Sequence, residues 1–124
     1  MRLSDREFDA IVESAIEGMP EEIRQHLDNV IISVRKRPSR RMMREIGVGA
    51  DGELLGLFQG VPLTERSVTA PPLFPDTIFL FQEALEAMCT NTEELKEQIE
   101  ITVVHEIAHF VGMDDERLAE LGYD

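Results

Sequence analysis

Residues 92–115 read TEELKEQIEITVVHEIAHFVGMDD, and their alternation of apolar and polar positions describes the longest helix of the chain. Thr90-Asn91-Thr92-Glu93 stops the segment before it and offers two capping boxes, Thr90 to Glu93 or Asn91 to Glu94, so a helix is expected from about Thr92 to Val111. In its first half Leu95, Ile99 and Val103 share one face, while Glu94, Glu97 and Glu100 are left to water. In its second half Ile101, Val104, Ile107, Ala108, Phe110 and Val111 make the helix apolar nearly all round, which predicts burial. Three polar residues interrupt that half: His105, Glu106 and His109.

Positions four apart on a helix fall about 40° apart, so both imidazoles project from one face and can grip a single zinc ion. Glu106, next to the first ligand, is placed to reach a water activated by the ion and to take its proton as a general base. Gly112 lets the chain turn after the helix, and Asp115 follows three residues later as the third ligand, leaving a fourth position for water. Asp114 is the near competitor, because it can also cap a short final helix, Glu116 to Leu121, closed by Gly122. One of the two ligates and the other caps or orients. Burying two histidines and a glutamate in an apolar helix without a metal would leave unpaired polar groups, which argues against a packing role.

Working outward, Ser4 and Glu7 have capping-box spacing, and Leu3 with Phe8 has that of a hydrophobic staple. Phe8, Ile11, Val12, Ala15 and Ile16 then form an apolar stripe ended by Gly18, and Pro20 opens a second helix reaching about Leu27. His26 in that helix has no ligand partner nearby in sequence and reads as surface or packing. Strands are expected at Val30–Val34, Leu54–Phe58 and Thr77–Phe81, with a turn at Asp51-Gly52. Val61-Pro62-Leu63-Thr64-Glu65-Arg66, Pro71-Pro72 and Pro75 describe an extended connection, and Gln82 to Met88 a further helix. The glycines at 47, 49, 52, 56 and 60 form no phosphate loop, because neither a Gly-Lys-Ser/Thr nor a GxGxxG spacing is present.

The chain has 124 residues, 25 of them acidic and 12 basic, for a formal charge of -13. Its length suits one domain over 1–124, and its acidity disfavours nucleic acid and anionic membrane surfaces as partners. The longest apolar run, Ile78 to Phe81, is far too short to span a bilayer. A charged amino terminus and a single cysteine, Cys89, agree with a cytoplasmic protein. Six of the twelve basic residues (Arg35, Lys36, Arg37, Arg40, Arg41 and Arg44) stand together without an acid, leaving 6 basic against 25 acidic residues elsewhere, a formal -19. This block is either a docking patch for an anionic partner or a solvated loop complementing the acidic body. The turn-like Pro38-Ser39 within it favours the loop.

At His105-Glu106-Ile107-Ala108-His109-Phe110-Val111-Gly112-Met113-Asp114-Asp115 the chain resembles the zincin metallopeptidases that carry HExxHxxGxxH/D. With Leu54 to Arg66 upstream, it looks like the small bacterial zincin-like metallopeptidase family of about this length. That resemblance implies an α+β, minimal zincin-like fold: a small mixed three- to four-stranded sheet packed on helices, the active-site helix near the carboxyl end. It also implies Zn2+ on His105, His109 and Asp115 with Glu106 as general base. Unlike the larger metzincins, the chain has no methionine after Asp115 to supply a Met-turn. The motif also resembles the His-Gly-x-x-His-x-x-Gly-x-Asp-His of a bacterial endoribonuclease family. It departs from that motif at Glu106, where that family has glycine, and at Asp115, where it has histidine.

The expected function is therefore a zinc-dependent peptidase acting on a peptide or protein substrate. The alternatives are a non-catalytic zinc-containing module that binds or regulates peptides and, less favoured, a zinc-dependent endoribonuclease. Arg66, Arg117 and Tyr123 are candidate oxyanion partners by chemistry alone.

Overall fold

The computed structural model describes residues 1–46, 54–60 and 76–123. Its elements follow in the order α1 (Asp5–Glu17), α2 (Glu21–Leu27), β1 (Val30–Arg35), α3 (Arg40–Ile46), β2 (Gly56–Gln59), β3 (Asp76–Phe81), α4 (Gln82–Met88), α5 (Thr92–Val111) and α6 (Asp115–Glu120). The strands form a mixed sheet with β3 in the middle, parallel to β1 and antiparallel to β2. This is the α+β architecture the sequence implies, with the motif-bearing helix late in the chain. The expected turn at Asp51-Gly52 and the connection through Val61–Arg66, Pro71-Pro72 and Pro75 lie outside the described residues.

The helix starts follow the caps. Ser4 and Glu7 exchange side chain to backbone bonds at 3.1 Å in each direction, closing a capping box at α1. At α5 the second of the two possible caps forms: Asn91 Oδ1 accepts from the Glu94 amide at 2.8 Å, and the Thr90 hydroxyl donates to Glu94 Oε1 at 2.6 Å. Leu95, Ile99, Val103, Val104, Ile107 and Ala108 are fully buried, in one core with Phe8 and Ala15 of α1, Ile23 of α2, and Ile78 and Leu80 of β3. A 20-residue helix with so much of its surface inside is the axis on which the rest is laid.

The basic block departs from expectation. Residues 40–46 form a helix rather than a loop, because Ser39 acts as its start: the Met42 amide donates to Ser39 Oγ at 3.1 Å and the Met43 amide to the Ser39 carbonyl at 3.1 Å. The expectation that the block complements its own acidic body holds at its beginning. Lys36 bonds Asp5 at 2.6 Å and Gln82 Oε1 at 3.2 Å, Arg37 pairs with Glu83 at 3.7 Å, and the Arg35 guanidinium lies 5.4 Å from the Phe79 ring centroid. Gln82, itself buried, carries this polar chain inward by donating to the Leu3 carbonyl at 3.1 Å and to Glu86 Oε2 at 3.2 Å. Glu86 in turn accepts from the Leu3 amide at 2.8 Å, so α1, β1 and α4 are joined around satisfied polar groups.

The packing of β2 on α5 depends on a missing side chain. A Cβ on Gly56 would stand 2.6 Å from Thr102 Cγ2 of α5 and 3.1 Å from the Phe79 carbonyl, so only glycine permits this approach. Two residues on, the Phe58 ring stacks on Phe110 of α5 with centroids 4.6 Å apart. Gly56→Ala is expected to cost about 1–3 kcal/mol in urea unfolding, the usual range for overpacking. Adding Thr102→Ser, which removes the obstructing methyl, should return part of that loss, and strictly additive effects would contradict the contact.

Candidate metal centre

The geometry of α5 places His105 and His109 one turn apart and exposed, while Glu106 between them is partly buried. The expected burial of this half of the helix holds for Val104, Ile107, Ala108 and Phe110 but not for the imidazoles. Both rings emerge on the solvent-facing side of the helix. The cost of burying histidine therefore does not argue for a metal. The group whose burial needs an account is Glu106.

Glu106 sits where α5 meets β2. The Phe81 amide bonds the Leu55 carbonyl at 3.0 Å, and in an antiparallel pair the bonding then alternates, so the Phe58 amide faces away from β3. That outward amide donates to the Glu106 carboxylate. Burial pushes the carboxyl of Glu106 above its ordinary value, and the charges of His109 and His105 and the Phe58 amide hold it down. A partly desolvated carboxylate beside two imidazoles, at the edge of the sheet formed by the described strands, is the kind of perturbed group that clusters at functional sites.

The turn after α5 gives the two aspartates different local surroundings. Gly112 takes the left-handed conformation at φ 73°, and the Met113 amide closes the turn on the Ala108 carbonyl at 2.8 Å. Asp114 then caps α6, accepting from the Arg117 amide at 2.8 Å, so α6 begins at Asp115, one residue before the sequence expectation. Asp115 is exposed in the first turn, with its carboxylate outside the cap. Two imidazole nitrogens and a carboxylate oxygen form a donor set that suits zinc. Among the described residues, however, no three histidine, cysteine, aspartate or glutamate side chains stand together closely enough to hold an ion.

Two of the candidate oxyanion partners are otherwise engaged. Arg117 donates to Glu22 of α2 through Nε at 2.9 Å and through a second, shorter contact, and to Glu120 at 2.7 Å. These bonds raise the pKa of the guanidinium, lower that of Glu22, and tie α6 to α2. The Tyr123 hydroxyl donates to Glu100 of α5, and its backbone carbonyl stands 3.0 Å from His105 Nε2. Arg66 lies outside the described residues. The sequence offers the strand Leu54 to Phe58 as a cleft edge but not the individual roles of Gly56 and Phe58 against α5; a glycine opening an apolar strand was the available signal for the close approach.

The model of a family described as zincin-like metallopeptidase matches residues 27–123 of the chain. No curated protein matches it.

Two outcomes follow from this geometry. Asp114→Ala should lower unfolding stability by about 1 kcal/mol through loss of the cap, whereas Asp115→Ala should stay within about 0.5 kcal/mol in the metal-free chain. Glu106 has a folded pKa above its unfolded one, so the folded chain holds the proton between the two values and loses stability as pH rises through them. Metal-free Glu106→Gln is therefore expected to melt above the parent at pH 7, with the difference closing as pH falls below the ordinary glutamate value of about 4.3. Parallel curves at every pH would contradict the desolvation of Glu106.

Proposed function

Because the chain belongs to the zincin-like metallopeptidase family, we propose that it is a peptidase that holds Zn2+ on His105, His109 and Asp115 and uses Glu106 as general base. The observation that carries this reading is the placement of Glu106, partly buried, beside both imidazoles and bonded to an outward amide of β2. Zinc bound there supplies Lewis acidity, which makes a water acidic near neutral pH and polarises a carbonyl.

The residues of the chain divide the remaining work. His105 and His109 each present a ring nitrogen from an exposed helix face, and the turn at Gly112 brings the chain round to Asp115. The carboxylate of Glu106 receives a proton from the attacking water and returns it to the nitrogen of the departing amine. Its raised pKa suits both halves of that exchange, since a base nearer the working pH also gives the proton back more readily. The outward edge of β2, from Gly56 to Gln59, gives an extended peptide a strand to pair with, next to the carboxylate.

Zinc titrated into metal-stripped protein by calorimetry should bind at one ion per chain, and His109→Ala should abolish that binding. Glu106→Gln should keep the zinc and lose peptide cleavage by about 10²–10⁴-fold, the contribution of a positioned base. Undiminished cleavage by Glu106→Gln would remove the assignment.

A further inference from the structure

The carbonyl of Tyr123 lies 3.0 Å from Nε2 of His105. A carbonyl oxygen only accepts, so Nε2 must carry the proton, and a protonated ring nitrogen has no lone pair for a metal. The contact is held from several sides. Gly122 takes φ 90°, the Tyr123 amide bonds the Leu118 carbonyl at 2.9 Å, and the Tyr123 hydroxyl donates to Glu100, which precedes His105 on α5. The Tyr123 ring also packs against the core, and burial first, then Glu100, pushes its phenol pKa up.

From this we propose that the turn carrying Tyr123 is a latch on the metal site, occupying His105 Nε2 in the metal-free chain and withdrawing when zinc binds there. The inference rests on the zinc reading of His105 and His109. Nε2 is the ring nitrogen farther from the backbone, and so the one that two residues a helical turn apart most readily direct to a common ion. An opposite arrangement is equally well defined: in many metal sites a histidine donates one ring N–H to a carbonyl and ligates through the other nitrogen. In that case Tyr123 would orient His105 and strengthen metal binding. The two arrangements differ in the sign of their effect on zinc affinity.

Tyr123 is the only tyrosine and the chain has no tryptophan, so its fluorescence reports this turn alone. A phenol bonded to a carboxylate is quenched by proton transfer in the excited state, and release from Glu100 restores its emission. Zinc alone is titrated into the full metal-stripped chain, following tyrosine emission and binding heat, with Tyr123→Phe and Glu100→Gln measured by calorimetry beside it. Tyr123→Phe keeps the ring in its packing and removes only the hydroxyl anchor, so circular dichroism should be unchanged.

The latch requires emission to rise in step with zinc occupancy and both variants to bind zinc about three- to tenfold tighter, the worth of one relieved hydrogen bond. Zinc binding with flat emission, or with equal or weaker affinity in the variants, overturns the latch and leaves the zinc site standing. Failure of the parent and of both variants to bind zinc overturns the zinc reading, and the latch with it.

Discussion

The contact between Gly56 and Thr102 is the constraint on which the rest of the site depends. A strand can lie this close to a helix only where one partner has no side chain, and here the helix side presents the stiff, β-branched Thr102. Because β2 descends onto α5 at Gly56, the Phe58 ring reaches Phe110 and the Phe58 amide reaches Glu106. The same approach partly shields Glu106 from water while its neighbours His105 and His109 stay exposed. Its carboxyl is thereby raised by burial, a perturbation that an isolated surface helix would not impose.

Around that contact the chain divides stability and chemistry between neighbouring residues. Val104, Ile107 and Ala108 fix α5 in the core, and the polar residues between them face the rim. Asp114 is committed to the cap of α6, and Arg117 to Glu22 across the gap to α2. These bonds hold the segment after Gly112 against the body while leaving Asp115 outside the local network. A small fold can in this way keep the imidazoles of His105 and His109 facing solvent on a rigid helix.

Much of this was legible in the sequence, because it depended on periodicity and on caps. The motif helix, the Ser4 box, the Gly112 turn and the three strands followed from local pattern alone, with bounds shifted by one or two residues at α2, β1, β2, β3 and α6. What was not legible involved residues far apart in the chain. The exposure of the imidazoles depends on which side of α5 the sheet and α1 leave uncovered. The roles of Gly56 and Phe58 exist only once β2 meets α5, and Tyr123 meets His105 only through the turn after α6. The basic block was misread for a local reason: Ser39, taken with Pro38 as a turn, is the cap of α3.

The family match supports a metallopeptidase, and the arrangement of Glu106 beneath the edge of β2 gives that assignment a physical basis in this chain. The most direct measurement is a crystal structure of the zinc-loaded protein with anomalous data collected on both sides of the zinc edge. The expected result is one anomalous peak bonded to His105, His109 and Asp115, with a water in the remaining position and the Glu106 carboxylate within hydrogen-bonding reach of it. A peak away from His109, or an ion closed off by a fourth protein ligand, would contradict a hydrolytic centre and favour a module that binds zinc without cleaving peptides.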